Sequence, residues 1–360
     1  MDENRSFEMD AKIPVAFGPL DGKVKAGFAY RDKHRVKDKD KNGVLATGKD
    51  RYVLDEEYAA AFVMGDFSTG DVTLKPGLRY EYNRLNGFDP TTGNRAGGTS
   101  RDVLPSFVAS WQADDLWLLS GGIGTSVNRP KFDQLSPFMT TSGSKTTIGN
   151  PDLKPQKAIT YDLDLTYKGE RAELVFGLWH RNIKGVIEDV TIGTDGSGNP
   201  LVSPENVGNG TTTGLSLTQR VSLDHLSSPI LRGFTIGSNQ NWATSRLHVA
   251  ATGATRAFKE QPKVWGDVFV EWRSPSDSFS LMAAAGYTAK ITSSGDNGDE
   301  VRNSELTLDL KATYTFENGM QVYLMGENLL RTERVKRKAN GDVERETGPY
   351  LISAGLTKRF

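Results

Sequence analysis

The sequence predicts an all-β protein, and within that class an antiparallel transmembrane β-barrel. Three observations predict it. Apolar residues recur with a period of two, connections between the alternating segments take turns being short and long, and aromatic residues gather near segment ends. Composition narrows the alternatives. The 360 residues carry 44 Lys+Arg against 45 Asp+Glu, a formal net charge of −1, without the basic excess that nucleic-acid binding usually needs. The absence of cysteine rules out disulfides, thiolate metal sites and thiol catalysis. Four histidines, His34, His180, His225 and His248, lie far apart in sequence. No run approaches the roughly 18 apolar residues of a membrane helix, but a membrane strand needs only about 9–11 residues, apolar on one face.

Taken in chain order, the alternation predicts fifteen strands, at about 6–13, 23–36, 51–68, 72–86, 101–112, 116–127, 157–168, 171–191, 211–223, 231–249, 261–273, 278–292, 302–316, 320–337 and 345–360. The clearest runs from Leu306 to Phe316. Leu306, Leu308, Leu310, Ala312, Tyr314 and Phe316 share one face, and Thr307, Asp309, Lys311, Thr313 and Thr315 the other. Ile159, Tyr161, Leu163, Leu165 and Tyr167 repeat the pattern against Thr160, Asp162, Asp164 and Thr166. Tyr350, Ile352, Ala354, Leu356 and Phe360 do so at the end, with Lys358 as an interfacial cation able to snorkel. Many of these strands exceed 12 residues, against about 5–6 in ordinary globular proteins.

Short connections at 68–71, 112–115, 168–170, 274–277 and 317–319 alternate with long polar ones at 37–50, 87–100, 128–156, 192–210, 250–260, 293–301 and 338–344. A membrane barrel has this asymmetry, with tight periplasmic turns and extended outer loops; a soluble sandwich has no reason for it. The connections at 14–22 and 224–230 are longer than the rule expects. Tyr80, Tyr82, Trp111, Trp117, Tyr167, Trp272, Tyr314 and Phe316 stand where interfacial aromatic girdles belong.

Several stretches resemble one family, the TonB-dependent outer-membrane receptors. Ser126-Val127-Asn128-Arg129-Pro130 continues through Phe132 and Leu135 to Pro137-Phe138, and is followed by Gly149-Asn150-Pro151-Asp152-Leu153-Lys154-Pro155. This is similar to the family's Arg-Pro, aromatic, Leu-x-Pro strand end and its Gly-Asn-Pro-x-Leu-Lys-Pro loop. Pro151 and Pro155 disfavour helix and stiffen the entry to the next strand. Pro76-Gly77-Leu78-Arg79-Tyr80-Glu81, Leu104-Pro105-Ser106-Phe107, and Glu205 to Gly210 leading into Thr213-Gly214-Leu215 resemble further family signatures in the family's order. Glu327-Asn328-Leu329-Leu330 resembles the penultimate strand, although Arg331 stands where an acidic or amide residue is usual. Phe360 resembles the terminal aromatic read by the barrel-assembly machinery.

The resemblance implies a 22-stranded barrel around an N-terminal plug, of which residues 1–360 would form about fifteen strands, with the plug absent. Met1-Asp2-Glu3-Asn4-Arg5 carries no secretory signal pattern, so either a signal was removed or the chain starts inside a longer protein. Fifteen strands would leave two unpaired edges, and the chain alone is expected to close imperfectly or fail to insert. The family reading implies a receptor for energy-coupled uptake of a scarce nutrient: a ferric siderophore first, otherwise cobalamin or a glycan. Its implied partners are the bilayer and lipopolysaccharide, the assembly machinery, and the TonB complex acting through the plug. A passive porin and a soluble all-β glycan-binding protein are the competing readings.

No cofactor or catalytic centre is expected. The chain has no Gly-x-Ser-x-Gly elbow, phosphate loop or His-Glu-x-x-His stretch. Asp38-Lys39-Asp40-Lys41-Asn42-Gly43 opens like a Ca²⁺ loop, but Lys49 falls where a bidentate Glu should stand, so a solvated loop is expected. Asp195-Gly196-Ser197-Gly198-Asn199 reads as a turn at a loop tip. Asp162 and Asp164 share one strand face and point to a polar lumen. By length alone, loops 128–156 and 192–210 are the expected contributors to substrate binding.

Overall fold

The structure, a computed structural model, describes all residues except 42, 43, 46–50, 92, 137, 138, 143, 144, 225, 227, 296, 297, 359 and 360. Its main sheet has 18 strands. Three of these (Met139–Ser142, Lys145–Ile148 and Thr255–Arg256) are short loop strands attached at the side. The other fifteen form an antiparallel meander, each pairing with the next in sequence. They are β1 (Asp2–Phe17), β2 (Leu20–Asp38), β3 (Arg51–Thr69), β4 (Val72–Phe88), β5 (Arg95–Gln112), β6 (Trp117–Asn128), β7 (Gln156–Lys168) and β8 (Ala172–Thr194). There follow β9 (Pro200–Ser222), β10 (Phe234–Val249), β11 (Val264–Arg273), β12 (Phe279–Thr288), β13 (Glu305–Thr315), β14 (Met320–Glu327) and β15 (Leu351–Lys358). Among the described residues β1 pairs only with β2, and β15 only with β14, so both are sheet edges.

Burial is inverted relative to a water-soluble sheet. Ile159, Tyr161, Leu163 and Leu165 of β7 are exposed, as are Leu306, Leu310 and Tyr314 of β13. On the opposite face Glu81 and Asp102 are buried, at 8% and 2% exposure. An outward apolar face and a polar inner face are what a lipid-embedded wall needs. The fully apolar buried clusters are small and lie where loops fold back over the strands' outer ends.

The strands outrun the expected bounds at several places. β1 and β2 meet in a two-residue turn, Gly18 and Pro19, rather than a long connection over 14–22; Gly18 takes φ +60, which glycine adopts at little steric cost. β8 and β9 are 23 residues each, about twice the membrane requirement, so their hairpin projects beyond the bilayer. The expected loop at 192–210 shrinks to 195–199, because residues 186–194 pair with 200–208 across the hairpin.

Other expected strands are split. The segment 320–337 breaks after Glu327, where Asn328 turns at φ +49 and Arg331 at φ +52. Beyond the break, Glu333–Arg337 leaves the wall and joins Ile291–Gly295, Gly298–Arg302 and Val343–Thr347 in a separate four-stranded sheet. The expected strands at 278–292, 302–316 and 345–360 each divide in the same way between wall and loop sheet.

The wall carries one seam of note. β5 pairs with β6 only from Ser106↔Gly124 down to Gln112↔Leu118, although β5 continues up beside β4 and β6 beside β7. Pro105, next in line, has no N–H to offer the ladder. Its carbonyl instead accepts from Thr125 Oγ1 at 2.9 Å.

Candidate functional site

The motif residues converge on the outer end of the barrel wall. Arg129, one residue past β6, bridges the open seam. Its Nη1 donates to Glu81 Oε2 at 2.9 Å, its Nη2 to Asp102 Oδ2 at 2.8 Å and its Nε to Ser100 Oγ at 2.8 Å. Arg79 Nε reaches Glu81 Oε1 at 2.6 Å, Tyr58 Oη donates to the same oxygen at 2.8 Å, and Lys157 Nζ lies 2.9 Å from Asp102 Oδ1. One ionic patch thus ties β3, β4, β5 and β7 together. Planar guanidinium forks suit this role because each can hold two acceptors at fixed angles.

Pro130 then turns the chain inward toward a one-turn helix, Phe132–Leu135. Phe132, Leu135 and Leu153 pack with Tyr52, Leu54 and Leu85 from the outer ends of β3 and β4, and with Ile187 of β8. The ring of Phe132 sits so close to Gly87 that a Cβ there would meet it at 2.2 Å. The loop 128–156 is therefore folded into the mouth and held there by apolar packing. Gly149 allows the fold: a Cβ on it would lie 2.1 Å from the Ser136 carbonyl oxygen.

Two of the motifs dock on each other. Asn150 Nδ2 donates to Glu205 Oε2 at 3.0 Å and to the Pro204 carbonyl at 3.2 Å. The Lys154 N–H donates to Asn206 Oδ1 at 2.8 Å, and Asn206 Nδ2 returns a bond to the Lys154 carbonyl at 3.0 Å. Pro151 is exposed above this contact, while Leu153 is buried and Pro155 leads into β7.

Asn328 and Leu329 lie elsewhere, in the corner after β14. The Asn328 N–H donates to Asp309 Oδ1 at 2.8 Å, its Oδ1 accepts from the Thr332 N–H at 3.1 Å, and the Leu329 N–H donates to the Leu308 carbonyl at 2.9 Å. Arg331 has a left-handed backbone, which short amide and acidic side chains tolerate best; its guanidinium lies 5.9 Å from the Tyr350 ring centroid. Phe360, Pro137, Phe138, Asn42, Gly43 and Lys49 lie outside the described residues. Asp38 pairs with Arg51, Nε to Oδ1 at 3.4 Å.

Above the wall, the hairpin Met139–Ser142/Lys145–Ile148, the β8–β9 hairpin and the four-stranded loop sheet flank a half-open cavity of about 550 Å³. Four lysines line it, each matched to an acid: Lys145 to Asp189 at 3.0 Å, Lys259 to Glu188 at 3.5 Å, Lys336 to Glu300 at 2.6 Å, and Lys338 to Glu344. Its wall is braced by Asp195, whose Oδ2 accepts from Thr146 Oγ1 at 2.6 Å and whose Oδ1 accepts from the Ser197 and Asn199 N–H groups. Those bonds, Thr146's first, lower the Asp195 carboxyl to about 2. The loop sheet was not legible as such, although alternating charge over Glu333–Arg337 and Val343–Thr347 marks solvated strands. Among the described residues, no group of three or more His, Asp or Glu is placed to hold a metal ion.

Comparison with known proteins agrees with this architecture. Residues 2–329 match the family described as TonB dependent receptor-like, beta-barrel. The iron-regulated outer membrane virulence protein of Vibrio cholerae is 24% identical over 241 residues, covering 64% of this chain and 36% of that protein. Among solved structures, the unliganded ferric citrate transporter FecA superposes with a TM-score of 0.72 at 15% identity, over 99% of this chain and 54% of FecA. The ferric-catecholate import receptor Fiu of E. coli K12 gives 0.69 at 13% identity and the copper transporter OprC 0.66 at 14%, covering 54% and 56% of those chains. At such identities the superpositions establish the fold alone, and the chain spans about half or less of each protein it matches. With the family matched across residues 2–329, this chain belongs to the TonB-dependent receptor β-barrel family, whose members are outer-membrane receptors and transporters rather than enzymes.

Proposed function

We propose that this barrel wall serves energy-coupled uptake of a scarce nutrient presented as a small metal chelate, a ferric siderophore in the first instance. The observation that carries this reading is the half-open cavity at the outer mouth, lined by charged side chains and bounded by loop 128–156, the β8–β9 hairpin and the loop sheet. Its paired lysines and acids offer both donors and acceptors to a hydrophilic ligand too large for free diffusion. The iron-linked names of the matched relatives support the choice of cargo. On this reading the lumen holds a plug domain, the inner-membrane TonB complex acts through that plug, and the wall sits among lipid and lipopolysaccharide after insertion by the barrel-assembly machinery. Cobalamin and glycans are the alternative cargoes.

The test is uptake of radio-iron chelates by cells expressing the intact receptor, with and without a functional TonB complex. Uptake should require both receptor and complex. Equal uptake without the complex would point to a passive pore and overturn the proposal.

A further inference from the structure

The outward wall of β9 and β10 carries a group that lipid does not explain. The register sets Gln219 of β9 opposite Ser238 of β10, with Gln240 next on the same face of β10. All three share that face with Leu215, Ile236 and Trp242, which are exposed to the bilayer. Gln219 Nε2 donates to Ser238 Oγ at 2.9 Å, and Gln240 Nε2 donates to the same oxygen at 3.3 Å. The two amides lie over the serine, which is 4% exposed. Among the described residues neither amide oxygen accepts a hydrogen bond.

The group sits at mid-depth. Ser238 stands midway along β10 between Phe234 and Trp242, roughly 13 Å along the strand from each. Acyl chains carry no hydrogen-bond donors, so amide oxygens held at this depth stay unsatisfied against lipid, which is costly.

The neighbouring wall is shaped for close approach. Ala283, Ala312 and Gly326 floor an outward apolar groove of about 650 Å³, walled by Trp272, Leu281 and Leu324. Gly266, opposite Gln240, and Ala285, one strand beyond Val268, carry this low ground back to the amides. Small residues let a second backbone come near, and amide and hydroxyl groups then hold it within a membrane. Amides and groove are contiguous over β9–β14. At about 4.8 Å between strands and about 25 Å of apolar belt they present roughly 600 Å², one side of a small specific interface.

We propose that this face, centred on Gln219, Ser238 and Gln240, is where two copies of this chain pair side by side in the membrane. After its bond to Ser238 each amide keeps one N–H and its carbonyl, so it is complementary to its own image across a two-fold axis. Lipid offers nothing equivalent. The pairing concerns the outside of the wall and is independent of cargo and of TonB coupling.

The test places a thiol beside the amides in the intact receptor. The chain has no cysteine, so Val268→Cys, opposite Ser238, is treated with a short bis-maleimide in isolated outer membranes. Phe28→Cys, exposed to lipid on β2, is the control for random collision. A cross-linked species of twice the receptor's mass is expected for Val268→Cys alone. Gln219→Leu combined with Gln240→Leu should cut its yield about tenfold. Heat-modifiable migration should stay that of the parent, since leucine suits the lipid face. The receptor extracted in mild detergent should likewise have twice the monomer mass, and the leucine pair the monomer mass. No cross-linked dimer above the Phe28→Cys level, or a dimer that the leucine pair leaves intact, would overturn the proposal. So would a complex whose added mass is that of another protein.

Discussion

Arg129 Nη2 donates to Asp102 Oδ2 at 2.8 Å across a seam where β5 and β6 have ceased to pair. The ion pair takes over the work of a missing ladder. Asp102 is only 2% exposed, so removing its partner strands a carboxylate that Lys157 alone must satisfy. Arg129→Met should lower unfolding stability by about 2–3 kcal/mol. Arg129→Lys should recover only part of that loss, since an ammonium cannot reproduce the fork. Urea unfolding in lipid vesicles gives the values, and an unchanged midpoint in Arg129→Met would refute the role assigned to the seam.

Leu153 tests the inward fold of loop 128–156. It is 7% exposed among Tyr52, Leu54, Leu85 and Leu135. Leu153→Ala should cost about 2–4 kcal/mol locally and release the loop without unfolding the wall. Limited proteolysis of intact cells should then cut within 128–156, where the parent is resistant. Equal resistance in both would show that the cluster does not hold the loop.

Exterior and interior faces should respond oppositely to charge. Leu163 is 45% exposed on the lipid side of β7, and Leu163→Arg should destabilise insertion by about 2–4 kcal/mol at mid-bilayer. Thr166→Arg, on the lumenal face of the same strand, should be tolerated. Folding yield into preformed vesicles distinguishes them, and equal yields would mean that the faces have been assigned the wrong way round.

Asp195 sets an acid limit on the mouth. Its carboxyl is lowered from 3.8 to about 2 by hydrogen bonds, the largest from Thr146. A depressed value means the folded form holds its proton less tightly than the unfolded one. The contribution is therefore complete above about 3.8 and is lost as pH falls through about 2. Hydrogen exchange at the Ser197 and Asn199 amides should stay protected down to pH ~3 and rise below it. Asp195→Asn should show raised exchange at every pH, and protection equal to the parent at neutral pH would count against the brace.

Most of the wall was legible because lipid and lumen impose the period of two directly. Strand existence and order followed from Leu306–Phe316, Ile159–Tyr167 and their counterparts. The outer third was less so. There the strands no longer face lipid, alternation fades, and the pairing of 186–210 rests on Thr, Gly and Asn positions that also suit loops. The role of Arg129 could be read only as motif membership, since its partners Glu81 and Asp102 lie 48 and 27 residues away.

The outward apolar face has a consequence for how the molecule comes to exist. For a water-soluble protein, collapse and burial are one event; here the residues that would drive collapse must stay apart from one another until acyl chains surround them. Leu306, Leu310, Leu324 and Ile352 are each more than 40% exposed, and in an aqueous compartment such surfaces would adhere to any similar surface they met. Biogenesis is thus a problem of escort: the chain must cross water unfolded and shielded, and the solvent that completes its structure is waiting only at the destination.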